Sequence, residues 1–482
     1  MANLHITMFP WFALGHITPC LHLANELAAK GHKVSILIPK NAQLLVQNLN
    51  LHQNLITFHS IIVPPVDGLP PGAETASDVD ISFHGLLATA IDLTRPQVQD
   101  FLSTAKPDFV FYDFAPWITQ ITKQLQIKSV YYCVFSAASM AFTYVPARNI
   151  PVGKPIRAED LTEPPPGYPS STVVLRDHEV RSVLLKMLPR PFGEGLTFYH
   201  RLRSSIESCD LICMRTCREI HGRFCDYIGT QFRKPILLTG PVLQAAIDPE
   251  TADNLLEDRW AKWLSGFEKG SVVFCSLGSQ QYDLDKDQFQ ELVLGFELTG
   301  LPFFLALKPP IGYETVEEAL PEGFEERVRG RGVIYGAWIE QPLILILNHP
   351  SVGCFVNHCG FGSMWESLMS DNQIVLIPYI SEQIMNCRLL VEELKVAVEV
   401  EREENYNKKR WFSKDSLSRA IKSVMDKDCE VGIMLKQNHQ KWREVFTEPG
   451  FMSEYIDKFV HDLERICESK VEDTDSDGRE SI

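Results

Sequence analysis

The sequence predicts an α/β protein made of two doubly wound halves, each built on a parallel sheet. Three observations carry this. Short apolar runs bounded by loop residues recur in both halves of the chain, as strands buried on both faces do. Segments of helical periodicity lie between them, so neighbouring strands pair in parallel across a crossover. The pattern stops near residue 240, restarts near residue 256, and contains no short repeat in either half.

Taken in order, Leu4 to Phe9 is the first strand. Pro10 to Gly15 supplies a loop, and Thr18-Pro19 reads as a helix start with proline at the first helical position. Leu21, Leu23, Ala24, Leu27 and Ala28 continue at helical spacing until Gly31, and His32 to Pro39 returns as a strand. Phe109 to Tyr112, Ser129 to Phe135 and Leu211 to Met214 are further strands, while residues 145 to 195, rich in Pro and Gly, read as a long loop region with short helices. In the second half, Ser271 to Cys275 is a strand, Ser276-Leu277-Gly278-Ser279 a turn and Asp287 to Leu298 a helix. Phe303 to Leu307, Gly332 to Tyr335, Val352 to Val356 and Ile374 to Pro378 complete the strands. These boundaries predict a domain over 1–240, a linker over 241–255 and a second domain over 256–450. A terminal helix over 451–466 and an acidic, disordered tail over 467–482 follow.

Length and composition narrow the function. At about 150 residues per domain, 482 residues hold two or three domains, and 45% apolar residues suffice for two large cores. Asp plus Glu outnumber Lys plus Arg by 62 to 46, a net charge of −16 that repels phosphates and argues against a nucleic-acid partner. No stretch has the 18 or so apolar residues that span a bilayer, and the N-terminus lacks the basic start of a signal peptide. The twelve scattered cysteines fit a reducing compartment. Cys209, Cys213 and Cys217, with Cys225 beyond, lack zinc-ligand spacing and read as small buried residues. The expectation is a cytoplasmic protein with no transmembrane segment.

The first strand is not followed by GxGxxG, and the second ends in Pro39-Lys40 rather than an acidic residue, so a dinucleotide site is disfavoured. Gly15-His16 instead lies beyond the carboxyl end of the first strand, where open α/β sheets bind ligands. An imidazole there can take a proton from a hydroxyl near neutral pH, given a carboxylate to orient it. Asp113, just after Phe109 to Tyr112, is the candidate partner. A lone loop histidine also serves as an ordinary hydrogen-bonding or capping residue.

Trp338 to Gln383 is the richest stretch. His358-Cys359-Gly360-Phe361-Gly362-Ser363 reads as the turn from a strand into a helix, exposing backbone N–H groups suited to phosphate. His358 adds a donor, and Glu366, one turn in, can accept from ribose hydroxyls. Trp338 offers a face for a base. Glu382 and Gln383 follow the next strand with groups able to hold sugar hydroxyls, and Ser279 closes a second turn of similar chemistry. Together they read as a nucleotide-diphosphate site.

This box resembles the C-terminal signature of plant UDP-dependent glycosyltransferases, the family-1 enzymes of the GT-B fold. The resemblance runs along nearly the whole chain, through Gly15-His16 and Ser276 to Ser279. It implies two facing Rossmann-like domains with a cleft between them, the acceptor held mainly by the first and UDP-sugar by the second. It implies that Trp338 stacks on uracil, Glu366 binds ribose, and His358, Ser363 and Ser279 hold the diphosphate. Glu382 and Gln383 contact the sugar, and Gln341, Gly360 and Gly362 complete the donor site. His16 is then the general base and Asp113 its partner, the sugar is transferred with inversion, and neither metal nor cofactor is required.

Four departures stand out. Phe361-Gly362 replaces the family's usual Trp-Asn, removing an indole and an amide from the donor site. Glu382 replaces the usual Asp. The segment before His349 is two residues longer than usual, and Tyr379 to Ser381 vary the loop before the sugar-binding pair. His-Cys-Gly-Phe-Gly-Ser resembles the subgroup that adds a sugar to a flavonoid or other small-molecule glycoside. The expectation is therefore a monomeric transferase acting on the sugar hydroxyl of a flavonoid or anthocyanin glycoside. A sugar-nucleotide-binding protein without transferase activity, and a transferase acting on an aglycone or terpenoid, are the alternatives.

Overall fold

The computed structural model describes residues 3–151, 153–181, 187–243, 256–278, 284–336, 343–402 and 411–477. The chain divides into two compact units. The first holds a seven-stranded, wholly parallel sheet in the order β3-β2-β1-β4-β5-β6-β7. Its strands are β1 (His5–Phe9), β2 (Lys33–Ile38), β3 (Ile56–Ser60), β4 (Phe109–Tyr112), β5 (Lys128–Cys133), β6 (Leu211–Met214) and β7 (Ile236–Leu238). Phe109, Val110, Phe111 and Tyr112 of β4 are all buried, which is why this central strand reads as a continuous apolar run. Strands β3 and β7 were not foreseen. The first, at the sheet's edge, buries only Ile56 and leaves its other four residues half-buried or exposed, and the second is three residues long.

Helix α1 (Leu14–Ala29) begins four residues before the expected start at Thr18-Pro19, and Pro19 lies inside it. Ala13 opens the helix without a side-chain cap, so no capping residue marks the start. Pro19 lies in the second turn, where its missing N–H withholds the hydrogen bond that would reach the Gly15 carbonyl. The consequence is functional: His16 sits in the first turn of a helix instead of a loop.

The second unit is a six-stranded parallel sheet in the order β10-β9-β8-β11-β12-β13. It comprises β8 (Val272–Ser276), β9 (Phe303–Ala306), β10 (Gly332–Tyr335), β11 (Val352–Asn357), β12 (Gln373–Leu376) and β13 (Ala397–Glu399). The three-residue edge strand β13 carries too little pattern to be read in advance. Val273, Cys275, Phe303, Leu305, Cys354, Val356 and Val375 fill one face of this sheet, and Val272, Phe274, Phe304 and Phe355 the other. Each such fully buried aliphatic or aromatic side chain stabilises by about 1.5–3 kcal/mol. Helices α2 (Phe361–Met369) and α3 (Ser381–Arg388) follow β11 and β12.

The units are not simple halves of the chain. Ser170–Val183 belongs to the second unit although the residues on either side of it belong to the first, and Pro449–Ile482 belongs to the first. Glu179 secures the excursion through a buried ion pair, its Oε1 2.6 Å from Nη2 of Arg388 at the end of α3. Within the first unit the terminal helix Phe451–Asp477 buries Ile456, Phe459 and Leu463. Its Tyr455 hydroxyl accepts from Arg218 N at 2.7 Å and donates to Glu219 at 2.8 Å. The helix runs past Ile466 to Asp477, through most of the stretch expected as a disordered tail. No described helix is long and apolar enough to cross a membrane. Cys209, Cys213, Cys217 and Cys225 are buried free thiols. Burial raises their pKa, to about 11 for Cys209 and about 12 for Cys225, and a protonated thiol is a poor metal ligand.

Candidate functional site

Each sheet reverses its strand order at one place, between β1 and β4 in the first unit and between β8 and β11 in the second. Crevices beyond the carboxyl ends of strands at such switch points are where α/β sheets bind ligands. His16 and Asp113 follow β1 and β4, and His358 follows β11, at these places.

In the first unit, His16 Nδ1 lies 2.5 Å from Asp113 Oδ2. The register pairs Phe9 with Tyr112 at the ends of β1 and β4, bringing together two residues 97 apart in sequence. Asp113 is buried, and its other oxygen accepts from Trp11 N at 2.7 Å and Phe114 N at 2.6 Å. With its carboxylate fixed by two backbone donors, one oxygen remains aimed at His16. The side chain of His16 is 22% exposed, with Nδ1 engaged by Asp113. An imidazole held this way can accept a proton at Nε2. Phe114 packs edge-on against His16, at 5.7 Å between ring centroids, and continues into Trp11, Phe192 and Phe198.

In the second unit, His358 follows β11 and is enclosed. A Cβ added to Gly278, beyond β8, would lie 2.6 Å from His358 Cε1, and one added to Gly360 would strike Nε2. Gly278 also has φ +86°, a conformation that side chains rarely adopt. The ring is therefore gripped between two glycines, and burial pulls its pKa down to about 4. His358 is neutral at physiological pH, so it can act through hydrogen bonding but brings no positive charge.

The turn after β11 is held by asparagines. Asn357 Oδ1 accepts from Cys359 N at 2.8 Å, its Nδ2 donates to Ser367 at 3.1 Å, and Asn386 Nδ2 donates to Cys359 O at 3.0 Å. Cys359 takes φ +59°. Gly360 then caps α2 with extended backbone, no side-chain cap and no acidic residue in the first turn. The leading N–H groups of α2, including those of Gly362 and Ser363, have no intrahelical acceptor and so face an anion-binding position. Ser363 and Glu366 are both half-buried on this helix.

Phe361 departs from expectation. It is buried and packs edge-on against Trp365, so its side chain belongs to the core. Open space surrounds the Cβ position of Gly362. Gln383 is also buried, and its side-chain oxygen accepts from Tyr379 N at 2.8 Å and Ile380 N at 3.3 Å, capping α3. Glu382, half-buried one residue earlier, accepts from Asn386 at 3.2 Å. Below them Arg402 donates to Pro378 O at 2.6 Å and fixes the same loop. Leu343–Leu347 forms a short helix that buries Leu345, Ile346 and Leu347, so the lengthened segment before His349 is packed as helix where it is described. Ser279, Trp338 and Gln341 lie outside the described residues.

His16 and Asp113 stand out in the sequence because each follows a strand, whereas Gly278, Asn357 and Asn386 do not stand out. The signals were slight: a glycine after a strand, an asparagine closing one, and an asparagine four residues beyond Glu382.

Residues 218–441 match the family described as "UDP-glucoronosyl and UDP-glucosyl transferase". UDP-glycosyltransferase 79B6 of Arabidopsis thaliana is 52% identical over 97% of this chain and 99% of its own length. Anthocyanidin 3-O-glucoside 2'''-O-xylosyltransferase of the same plant is 54% identical over 97% of this chain and 98% of its own. Among solved structures, Glycyrrhiza uralensis UGT73P12, complexed with glycyrrhetinic acid 3-O-monoglucuronide, superposes with a TM-score of 0.80. It is 19% identical and covers 99% of both chains.

Proposed function

This chain belongs to the plant family-1 UDP-glycosyltransferases, and we propose that it transfers a sugar from a UDP-sugar to a sugar hydroxyl of a flavonoid or anthocyanin glycoside. Its two parallel-sheet units have the GT-B fold, and it is an enzyme of that family. The His16–Asp113 hydrogen bond carries the mechanistic reading. His16 Nε2 takes the proton of the acceptor hydroxyl while Asp113 orients the ring and balances its charge. The hydroxyl oxygen attacks the anomeric carbon, the bond from that carbon to the diphosphate oxygen breaks, and UDP leaves with the electron pair. Configuration at the anomeric carbon inverts.

In this reading the N-terminus of α2, Ser363 and neutral His358 receive the negative charge that develops on the diphosphate, and no metal is needed. Glu366 accepts from the ribose hydroxyls, and Trp338 and Gln341 complete the nucleotide pocket with Ser279. Glu382 contacts the donor sugar directly, whereas Gln383 first shapes the loop that presents it. The preference for a glycoside acceptor is supported by the His-Cys-Gly-Phe-Gly-Ser run and by the substrate in the name of the 54% identical relative. The enzyme is proposed to work as a cytoplasmic monomer.

The test is product mass after incubation with UDP-glucose, UDP-xylose or UDP-rhamnose, each against paired flavonoid aglycones and their 3-O-glucosides. Mass gain confined to the glucosides is expected, its size identifying hexose, pentose or deoxyhexose. Gain on the aglycones alone would overturn the acceptor class while leaving the transferase.

A further inference from the structure

Behind the His16–Asp113 pair lies a second charged pair, almost wholly removed from solvent. Arg201, on the helix Phe198–Ser208, is 1% exposed. Its Nη2 and Nη1 meet the two oxygens of Asp92, at the end of the helix His84–Asp92, at 2.6 and 2.8 Å. Its Nε donates to the carbonyl of Phe114 at 2.5 Å, and Nη1 also reaches the carbonyl of Phe192 at 3.5 Å. Asp92 is in turn saturated: it also accepts from Trp117 Nε1 at 2.8 Å and from Glu194 N at 3.0 Å.

Phe114 is therefore held at three points. Its carbonyl accepts from Arg201, its N–H donates to Asp113 Oδ1, and its ring lies edge-on to His16. A buried ion pair is weak evidence for stability, because apolar residues of similar volume commonly do as well. What such a pair offers and apolar packing does not is direction. The planar guanidinium presents fixed donors, and here they join two helices to a residue that touches both members of the proposed catalytic pair.

We propose that Arg201 and Asp92 are positioning residues for the His16–Asp113 pair: the guanidinium, clamped by Asp92, grips Phe114 and so fixes the carboxylate that orients His16. The inference rests on the reading of His16 as the general base. Neither residue touches substrate in this account; both act through Phe114. A lysine at position 201 keeps the charge but cannot bond both Asp92 oxygens and the Phe114 carbonyl in one plane.

The experiment is a double-mutant cycle in kcat with UDP-xylose and an anthocyanidin 3-O-glucoside, using wild type, R201K, D113N and R201K/D113N. UDP binding is measured on each protein by calorimetry. R201K is expected to lower kcat by about 10- to 100-fold, the scale on which misplaced catalytic groups lose rate. UDP affinity and the acceptor KM should stay within about twofold, since the donor site and the acceptor's resting contacts are not what Arg201 holds. In the D113N background the same substitution should cost little more, because the group it positions is already compromised. D92N, which keeps the side-chain shape and loses the charge, should reproduce the pattern if R201K fails to fold. An equal fold-loss in both backgrounds, or wild-type kcat in R201K or D92N, would overturn the proposal. Wild-type turnover by His16→Ala would overturn the general-base reading, and is a separate outcome from either of these.

Discussion

Two histidines occupy comparable places in the two sheets, one beyond β1 and the other beyond β11, yet their surroundings are opposed. His16 is partly open to solvent and bonded to a carboxylate that two backbone N–H groups hold in place. His358 is enclosed between glycines, away from solvent, and burial keeps it neutral. The same side chain thus fits the proposed proton transfer in one unit and the proposed uncharged hydrogen bonding in the other. The means differ as well. Directed charge builds the first site, whereas close backbone approach and amide side chains build the second.

The contrast can be broken from either side. Asp113→Ala should cost the most, lowering kcat by about 100- to 1,000-fold, within the range of lost acid–base assistance. Calorimetry should meanwhile find UDP binding unchanged, and a parallel loss of binding would show that the two sites are not independent.

The next effect concerns acid. An imidazole held at about 4 in the folded protein, against 6.5 unfolded, contributes its full stability above about pH 6.5. That contribution is lost as pH falls toward 4. His358→Gln should therefore reduce the pH-dependent part of the unfolding free energy between pH 7 and 4 by up to about 3 kcal/mol. Denaturant titrations at the two pH values measure it, and an unchanged difference would mean that His358 is not closed off as described.

Gly278→Ala should act in the same unit on a smaller scale. The new Cβ meets the His358 ring at a backbone angle that disfavours side chains, costing about 1–3 kcal/mol. A lower melting temperature and weaker UDP binding are expected, with kcat at saturating donor changed less. Gly362→Asn should be the mildest. Open space surrounds that position, so stability should move by no more than about 0.5 kcal/mol. The restored amide should shift the preference among UDP-sugars, read as relative kcat/KM. Identical preferences would place residue 362 outside the sugar's reach.

The legibility of the sequence follows the same division. Central strands such as β4 and β8 announce themselves because burial on both faces demands continuous apolar residues. Edge strands β3, β7 and β13 escape notice, being short or half-exposed. The true start of α1 was hidden because Ala13 is no capping residue while Thr18-Pro19 looks like a start. His16 and Asp113 were readable because each follows a strand that strand order brings to one switch point. Arg201 and Asp92 were not, since a contact across 109 residues between two helices leaves no spacing to detect. Nor was the grip of Gly278 on His358, which depends on two strands meeting side by side. The crossing of Ser170–Val183 is held by the Glu179–Arg388 ion pair and by Ser170 and Thr172 donating to Glu393, long-range contacts that local composition does not signal.

The most direct test of this account takes His16→Ala and measures sugar transfer and UDP binding on the same preparation. Transfer should fall at least about 100-fold while UDP binds as in the wild type. Normal transfer by this variant would contradict the assignment of the base, and equal loss of transfer and binding would contradict the division of labour between the two histidines.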